Sequence, residues 1–311
     1  MAPNPHLKWP IPDNRLMRKA DFNQPKSLSI TRQDTIPAIP ASKRPVAQPR
    51  AVGEVQLSAK RRDARTVLDR FRQSGSMKCL FPRVSSPGLQ AVLINTAGGV
   101  TGGDRFDTSI HAGADTTLTL TTQACERAYR AQPGQTGEIN TKIRVASGAR
   151  MNWLPQETLV FDGASVNRRL SVELADGASL LMAEPMVFGR AAMGEVVTAC
   201  HFTDRIDIRR SGAPLYLDAM RLKGDLQKHL SRSFVASGAG AMASVVLVSD
   251  WAEAHLEPVR QMLPDSAGAS LLQQDVLVLR MLAEDGFALR QSLIPILDRL
   301  SGGPLPRCWM I

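Results

Sequence analysis

Four Gly-Ala steps constrain this chain more than any other feature: Gly113-Ala114, Gly148-Ala149, Gly163-Ala164 and Gly177-Ala178. They separate runs in which apolar and polar residues alternate, the period of a strand with one buried face. Leu118 and Leu120 alternate with threonines over residues 115–122. Ile143 and Val145 alternate with charged residues, as do Leu170, Val172 and Leu174, and then Ile206 and Ile208. Glycine reaches the positive φ that tight corners need, and the last three steps lie 15 and 14 residues apart, about one strand and one turn. The spacing predicts a mostly β fold: many strands stacked in sequence, as a sandwich or an elongated, β-helical or solenoid-like array. No strict repeat accompanies it.

Helical patterns come late, which places a few helices toward the C-terminus. Asp250 followed by Glu253 reads as an N-cap with its capping-box partner, ahead of an apolar stripe of Trp251, Ala254, His255, Val259, Met262 and Leu263 over residues 251–263. A second helix is expected over 287–300, closed by Gly302, with Pro295 as a kink or break. A third is expected over 225–232. Residues 60–74 are ambiguous, because Ala64, Val67, Leu68 and Phe71 fit a helical face slightly better than an alternating strand.

An apolar content of 43% with 22% charged residues is that of a globular protein. No apolar run approaches a membrane span, and residues 1–12 lack the apolar stretch of a secretory signal, so the expected location is cytoplasmic. The net charge of +9 is concentrated: residues 1–65 hold 13 Lys+Arg against 5 Asp+Glu, and the rest 25 against 24. Nine of the twenty prolines also fall within residues 1–50. That segment is read as a disordered, Pro-rich basic arm, with residues 51–311 as one β-rich domain. Such an arm is usually a solvated tail or a handle for an acidic partner; no nucleic-acid-binding signature accompanies it.

Cys79, Cys125, Cys200 and Cys308 form no CxxC pair, and the five histidines are dispersed. Neither a disulfide framework nor a closed zinc site is expected. Cys200 and His201 are adjacent, and on a strand they would point to opposite faces.

The densest glycine cluster is Asn95-Thr-Ala-Gly98-Gly99-Val-Thr-Gly102-Gly103-Asp104, after an apolar strand at 91–94. Gly98 and Gly103 have the spacing of a phosphate-binding loop, but Asp104-Arg105 stands where that loop needs Lys-Ser/Thr, and its carboxylate would repel phosphates. The following residues 106–110 read as a strand, whereas such a loop opens a helix. A tight backbone crossing, with Asp104 satisfying loop N–H groups, is the simpler reading. There is no G-x-S-x-G elbow and no HExxH. Glu157, Asp162 and Glu184 are the carboxylates from which an acid–base pair would be drawn, and each alone is more often a turn-capping or solvated group. Nothing demands an enzyme.

The stretch Ile94-Asn-Thr-Ala-Gly-Gly-Val-Thr-Gly-Gly-Asp104-Arg105 resembles the hallmark of the urease accessory UreD (UreH) family. Leu120-Thr-Thr-Gln-Ala-Cys-Glu-Arg-Ala-Tyr129-Arg130 is similar to that family's second block, and Leu154-Pro-Gln-Glu157-Thr-Leu-Val-Phe-Asp162-Gly-Ala to its third, ahead of Ala183-Glu184 and Gly189-Arg190. The tail Pro306-Arg307-Cys-Trp309 fits the family's ending. The blocks keep the family's order over residues 51–311. Cys125 and Arg127 depart from it, where Ala, Ser or Thr and Lys are usual; Cys125 is read as a small core residue rather than a nickel ligand. The basic arm is longer than is usual in the family.

The resemblance implies a strand, not a helix, over residues 60–74, and a roughly β-helical fold. It implies a non-enzymatic chaperone or scaffold for urease maturation by nickel insertion. Such a scaffold binds apo-urease on one side and UreF on the other, with the GTPase UreG held through UreF. It implies no tightly bound cofactor, only nickel in transit, and neither nucleic acid nor membrane as partner. Glu157, Asp162, Glu184, Asp104 and Thr122 are nominated as walls of a hydrated passage, with Gly98, Gly99, Gly102 and Gly103 as a structural loop. UreF contact is expected on residues 251–263 and 287–300. Two other classes remain: an anion- or nucleic-acid-binding adaptor acting through residues 1–65, and a hydrolase using Glu157 and Asp162.

Overall fold

The structure, a computed structural model, describes residues 48–310. The basic arm lies outside the described residues apart from Gln48, Pro49 and Arg50.

Seventeen strands and three α-helices are described. The chain opens with an antiparallel hairpin of β1 (Val52–Arg62) and β2 (Arg65–Gly75), then β3 (Met77–Leu80) and β4 (Leu89–Asn95). There follow β5 (Arg105–Ala112), β6 (Thr117–Thr122), β7 (Glu126–Ala128), β8 (Gly137–Val145), β9 (Arg150–Leu154), β10 (Thr158–Val160), β11 (Ala164–Leu174), β12 (Ser179–Phe188) and β13 (Cys200–Arg210). The C-terminal part holds β14 (Ala213–Lys223), α1 (Leu226–Leu230), β15 (Ala241–Val248), α2 (Ala252–Arg260), β16 (Ala267–Gln273), β17 (Val276–Ala283) and α3 (Gly286–Ser301).

From β4 to β13 the chain alternates between two sheets, and that alternation makes it a solenoid. β5, β8, β11 and β13 stack parallel in a seven-stranded sheet of order β14-β13-β11-β8-β5-β1-β2. β4, β6, β9 and β12 stack parallel in the second sheet, which β15, β17 and β16 extend in antiparallel fashion. The alternation seen in the sequence is the pleat of this stack, because Ile143, Leu170, Val172 and Ile206 all turn into the space between the sheets. Three of the Gly-Ala corners use positive φ at Gly148, Gly163 and Gly177. The fourth does not: Asp115 turns that corner at φ 57, and Gly113 matters because a Cβ there would lie 2.6 Å from the Ala59 carbonyl oxygen.

A second apolar layer lies on the other side of the second sheet. Leu181, Ala183, Val245, Leu247 and Leu279 pack there against Leu289, Leu293, Ile296 and Leu300 of α3. This explains why β12 and β15 are apolar almost without alternation, since they are covered on both faces.

Residues 60–74 form the β1–β2 hairpin, as the family resemblance implied and local periodicity did not. Ladder pairing with β1 satisfies one edge of the β2 backbone, and Phe71 packs edge-on against Phe81 at 5.1 Å between ring centres. Asp250 does not cap α2. Trp251 takes the cap position without a side-chain bond and is 72% exposed. Of the expected stripe, Val259, Met262 and Leu263 pack onto the core, joined by Ala252 and Leu256, while Trp251 and Ala254 face outward. α3 is capped by the Asp285 carboxylate, which accepts from Ala288 N at 2.8 Å, and ends at Gly302 with φ 69. It runs through Pro295 without a break, and that ring lies on the exposed side. α1 forms within the expected 225–232 but is shorter, Leu226–Leu230, and follows an Asp225 cap.

Leu120, fully buried between the sheets, is a direct probe of this core. Leu120→Ala is expected to lower unfolding free energy by about 2–5 kcal/mol in urea titration. A loss below about 1 kcal/mol would mean that the two sheets do not enclose it.

Candidate functional site: a stacked polar corner

In a parallel stack each coil must return through the same corner, so equivalent residues of successive coils become neighbours. Val100 bridges Ala128, Ala128 pairs with Val160, and Val160 with Phe188, all parallel. The four motif blocks therefore occupy one corner of the solenoid. Backbone bonds rivet it: Val100 N donates to Arg127 O at 2.8 Å, Phe161 N to Ala128 O at 3.1 Å, and Gly189 N to Val160 O at 2.7 Å.

The first block supplies the close crossing. Gly99 has φ 157, and a Cβ there would meet the Tyr129 ring and sit 2.6 Å from Arg127 O. Gly102 would crowd Ala131 and Gln135, whereas Gly98 and Gly103 turn with φ 79 and 88. The Asp104 carboxylate is buried and accepts from Ala51 N and Thr101 N, both at 2.8 Å. It ties the loop to the start of β1. Arg105, directly after it, opens a strand and not a helix, which removes the structural basis for a phosphate loop.

The second and third blocks meet at Thr122, whose hydroxyl oxygen accepts from Gln156 N at 2.9 Å. Next to it, Glu157 Oε1 accepts from Arg290 Nη1 of α3 at 2.9 Å. The same guanidinium donates to Trp309 O at 2.9 Å and stands 5.3 Å over that indole. Trp309 in turn donates from Nε1 to Leu154 O at 3.0 Å. The C-terminal tail is thus locked onto the third block, with Glu157 beneath it.

The most concentrated charge lies deeper. Arg168 of β11 reaches Glu184 of β12 at 2.6 Å and grips Asp204 of β13 with two bonds of 2.9 and 2.7 Å. It also donates to Thr158 Oγ1 at 3.0 Å, while Trp153 Nε1 donates to Glu184 at 2.6 Å. These side chains are only 6–10% exposed. Two carboxylates share one guanidinium, so the cluster carries one surplus negative charge when both are ionised. Burial pushes the Glu184 carboxyl up, Arg168 pulls it down, Asp204 pushes it up again and Trp153 pulls it down; the net is above the ordinary glutamate range.

Asp162 stands apart, at the turn into β11. Burial opposes its charge, but N–H groups of Ala199 and Thr198, the Thr198 hydroxyl and Arg130 outweigh that and hold its carboxyl low. The structure thus links Thr122, Glu157 and Glu184 through Gln156, Thr158 and Arg168, and leaves Asp104 and Asp162 as loop anchors to either side. A hydrolase would need Glu157 and Asp162 to face a common substrate. Instead, each is held by its own arginine, and a depressed Asp162 is a poor proton shuttle near neutral pH.

Among the described residues, no group of three or more His, Cys, Asp or Glu side chains is gathered to hold a metal ion. Cys125 is half-buried, not core, and its thiol is pushed up, chiefly by burial. Cys200 is buried while His201 is half-exposed on the other face of β13, as adjacency required.

Trp153, Arg168, Asp204 and Arg290 were not anticipated. Two of them carried a visible signal. Arg168 keeps phase with Val166 and Leu170, and Asp204 with Phe202 and Ile206, so the pleat that buries those residues also buries the charges.

Arg168→Ala leaves two buried carboxylates without their cation and is expected to cost about 3–5 kcal/mol in urea unfolding. A loss under about 1 kcal/mol would contradict the network. For Asp162 the folded pKa lies below its ordinary value of 3.8. Its stabilisation is therefore present above that pH and lost as pH falls through the folded value. The stability gap between wild type and Asp162→Asn should be open at pH 7 and narrow as pH falls below 3.8, followed by thermal melting. A gap that widens in acid would refute this.

The family model described as UreD urease accessory protein matches residues 51–310. A urease accessory protein UreD of Ruegeria pomeroyi is 60% identical over 246 residues, covering 79% of this chain and 96% of that protein. The corresponding protein of Roseobacter denitrificans is 54% identical over 86% of this chain and 97% of its own length. That of Ruegeria sp. TM1040 is 50% identical over 92% and 100%. With a family match across the whole solenoid and relatives aligned over nearly their full length, the chain belongs to the UreD family of urease accessory proteins.

Proposed function

We propose that this protein is a non-catalytic scaffold in the cytoplasm that assists urease maturation by helping nickel reach the apo-enzyme. In this reading it assembles with apo-urease and with UreF, and with the GTPase UreG through UreF. Nickel is cargo in transit, and no cofactor is held tightly. The observation that carries the reading is the stacked corner, where family-like blocks from four coils converge on buried acidic side chains with no paired nucleophile and base.

Transit of a doubly charged ion needs oxygen-lined steps of modest affinity, because a tight site would trap it. Thr122, Glu157 and Glu184 supply such oxygens along the corner. Asp104 and Asp162 brace the loops that flank them. Arg290 and Arg168 neutralise the two glutamates in the absence of the ion, and a divalent cation passing through competes with guanidinium for those oxygens. With Glu184 and Asp204 both ionised, the surplus negative charge around Arg168 favours a cation over an anion.

UreF is assigned to the C-terminal helical part, where Trp251 and Phe287 are 72% and 70% exposed. A stable contact of this kind buries ~1,200–2,000 Å². The remaining face of α3 belongs to the core, so removing the helix would unfold the protein and not simply detach a partner.

Glu157→Gln/Glu184→Gln keeps the shape and removes the charge. Urease matured with this variant should hold about tenfold less nickel by metal analysis, while co-purification with urease subunits and UreF is unchanged. Full nickel content would exclude the passage.

A further inference from the structure

On the face of the seven-stranded sheet turned away from the core, β2, β1, β5 and β8 line an open groove of about 700 Å³. Register dictates its contents. Arg72, Gln56, Ser109 and Lys142 form one row across these strands, and Arg70, Ser58, His111 and Arg144 form the next. The intervening Leu57, Ile110 and Ile143 point inward and are buried. Arg70, Arg72, His111, Lys142 and Arg144 are exposed.

The charges on this face are asymmetrically satisfied. Asp69 is paired with Lys60 at 2.7 Å, and Asp107 with Arg105 at 2.7 Å. Glu54 accepts from Gln56, Glu138 from Asn167, and Glu173 from Gly212 N. Asp207 is held by Arg209 at 2.8 Å. By contrast, the side chains of Arg70, Arg72, Lys142 and Arg144 make no hydrogen bond or ion pair among the described residues. The groove lining holds Arg70, Arg72, Lys142 and Arg144 against one carboxylate, Asp69, which makes it complementary to an anion.

We propose that this groove binds an extended acidic segment of a partner protein. Alternate residues on a strand are about 6.8 Å apart, so Lys142 and Arg144, like Arg70 and Arg72, match the carboxylates of every second residue of an extended chain. The arm of this protein does not complement the groove, since residues 1–47 carry 8 Lys+Arg against 3 Asp+Glu. A nucleic acid is disfavoured because Phe71, the aromatic residue lining the groove, is packed edge-on against Phe81 and is not laid open for a base to stack on.

The test uses the full chain and a fluorescein-labelled octaglutamate peptide, followed by anisotropy at low and physiological salt. Arg70→Glu/Arg72→Glu/Lys142→Glu/Arg144→Glu is expected to weaken binding at least about tenfold, the sum of four modest exposed ion contacts. Salt should weaken wild-type binding likewise. Lys8→Glu/Arg15→Glu/Arg18→Glu/Lys19→Glu makes the same change in net charge on the arm and should leave most of the affinity. As a check that needs no variant, carbodiimide activation of the bound peptide should form amides at Lys142 and Lys60 in peptide maps. Equal loss in both charge-reversed proteins, adducts confined to the arm lysines, or tighter groove-dependent binding of oligothymidylate of equal charge would each overturn the proposal. None of these readouts involves nickel or urease.

Discussion

Parallel stacking requires that whatever one coil places at a corner, the next coil must accommodate directly above it. Here the Val100–Ala128–Val160–Phe188 ladder sets that constraint, and its backbone bonds leave little room for side chains at the crossing. Gly99 and Gly102 answer it by having none. Because the ladder is narrow and apolar, the polar residues of each block are displaced to its flanks. Asp104 then clamps the entry to the stack, and Asp162 clamps the turn into β11. The proximity of the motifs in space is thus a consequence of the winding.

Burying charge inside such a stack is unfavourable unless partners are close and well oriented. Arg168 meets that requirement with bonds to both carboxylates and to Thr158, while its guanidinium lies 5.7 Å from the centre of the Phe202 ring. An apolar cluster of the same volume would stabilise the fold at least as well. The cluster's contribution to stability therefore does not by itself account for two carboxylates and one cation at this depth. Arg290 repeats the arrangement nearer the surface, where α3 and the C-terminal tail close over Glu157. Both glutamates are thus held by an arginine on a neighbouring element, Glu184 by Arg168 of β11 and Glu157 by Arg290 of α3.

Much of the fold was legible in the residues, for a physical reason. Strands in a two-sheet solenoid have one core face and one outer face, so Ile143, Leu170 and Ile206 announce the pleat, and glycine marks three of its corners. Where that reason fails, so does the reading. β12 and β15 are covered on both faces and lose alternation. β2 has an exposed, weakly patterned edge and is recognisable only through its ladder with β1 or through family resemblance. The start of α2 was misread because Asp250 has the chemistry of a cap but not the position. The site was half legible. Glycine spacing and acidic residues drew attention to blocks that the winding brings to one corner, yet Arg290 and Trp309 come from remote sequence and only tertiary packing brings them to Glu157. Arg168 and Asp204 were hidden in plain view, because charged residues in a buried phase are easily taken for solvent-facing ones.

The central claim is that this solenoid serves another protein's metal centre and carries no reaction of its own. The most direct measurement is the nickel content of urease purified from host cells lacking this chain, compared with the same cells after the chain is restored. The account predicts urease largely empty of nickel in its absence and filled on restoration, with no change in the amount of urease made. Equal filling in both would contradict it.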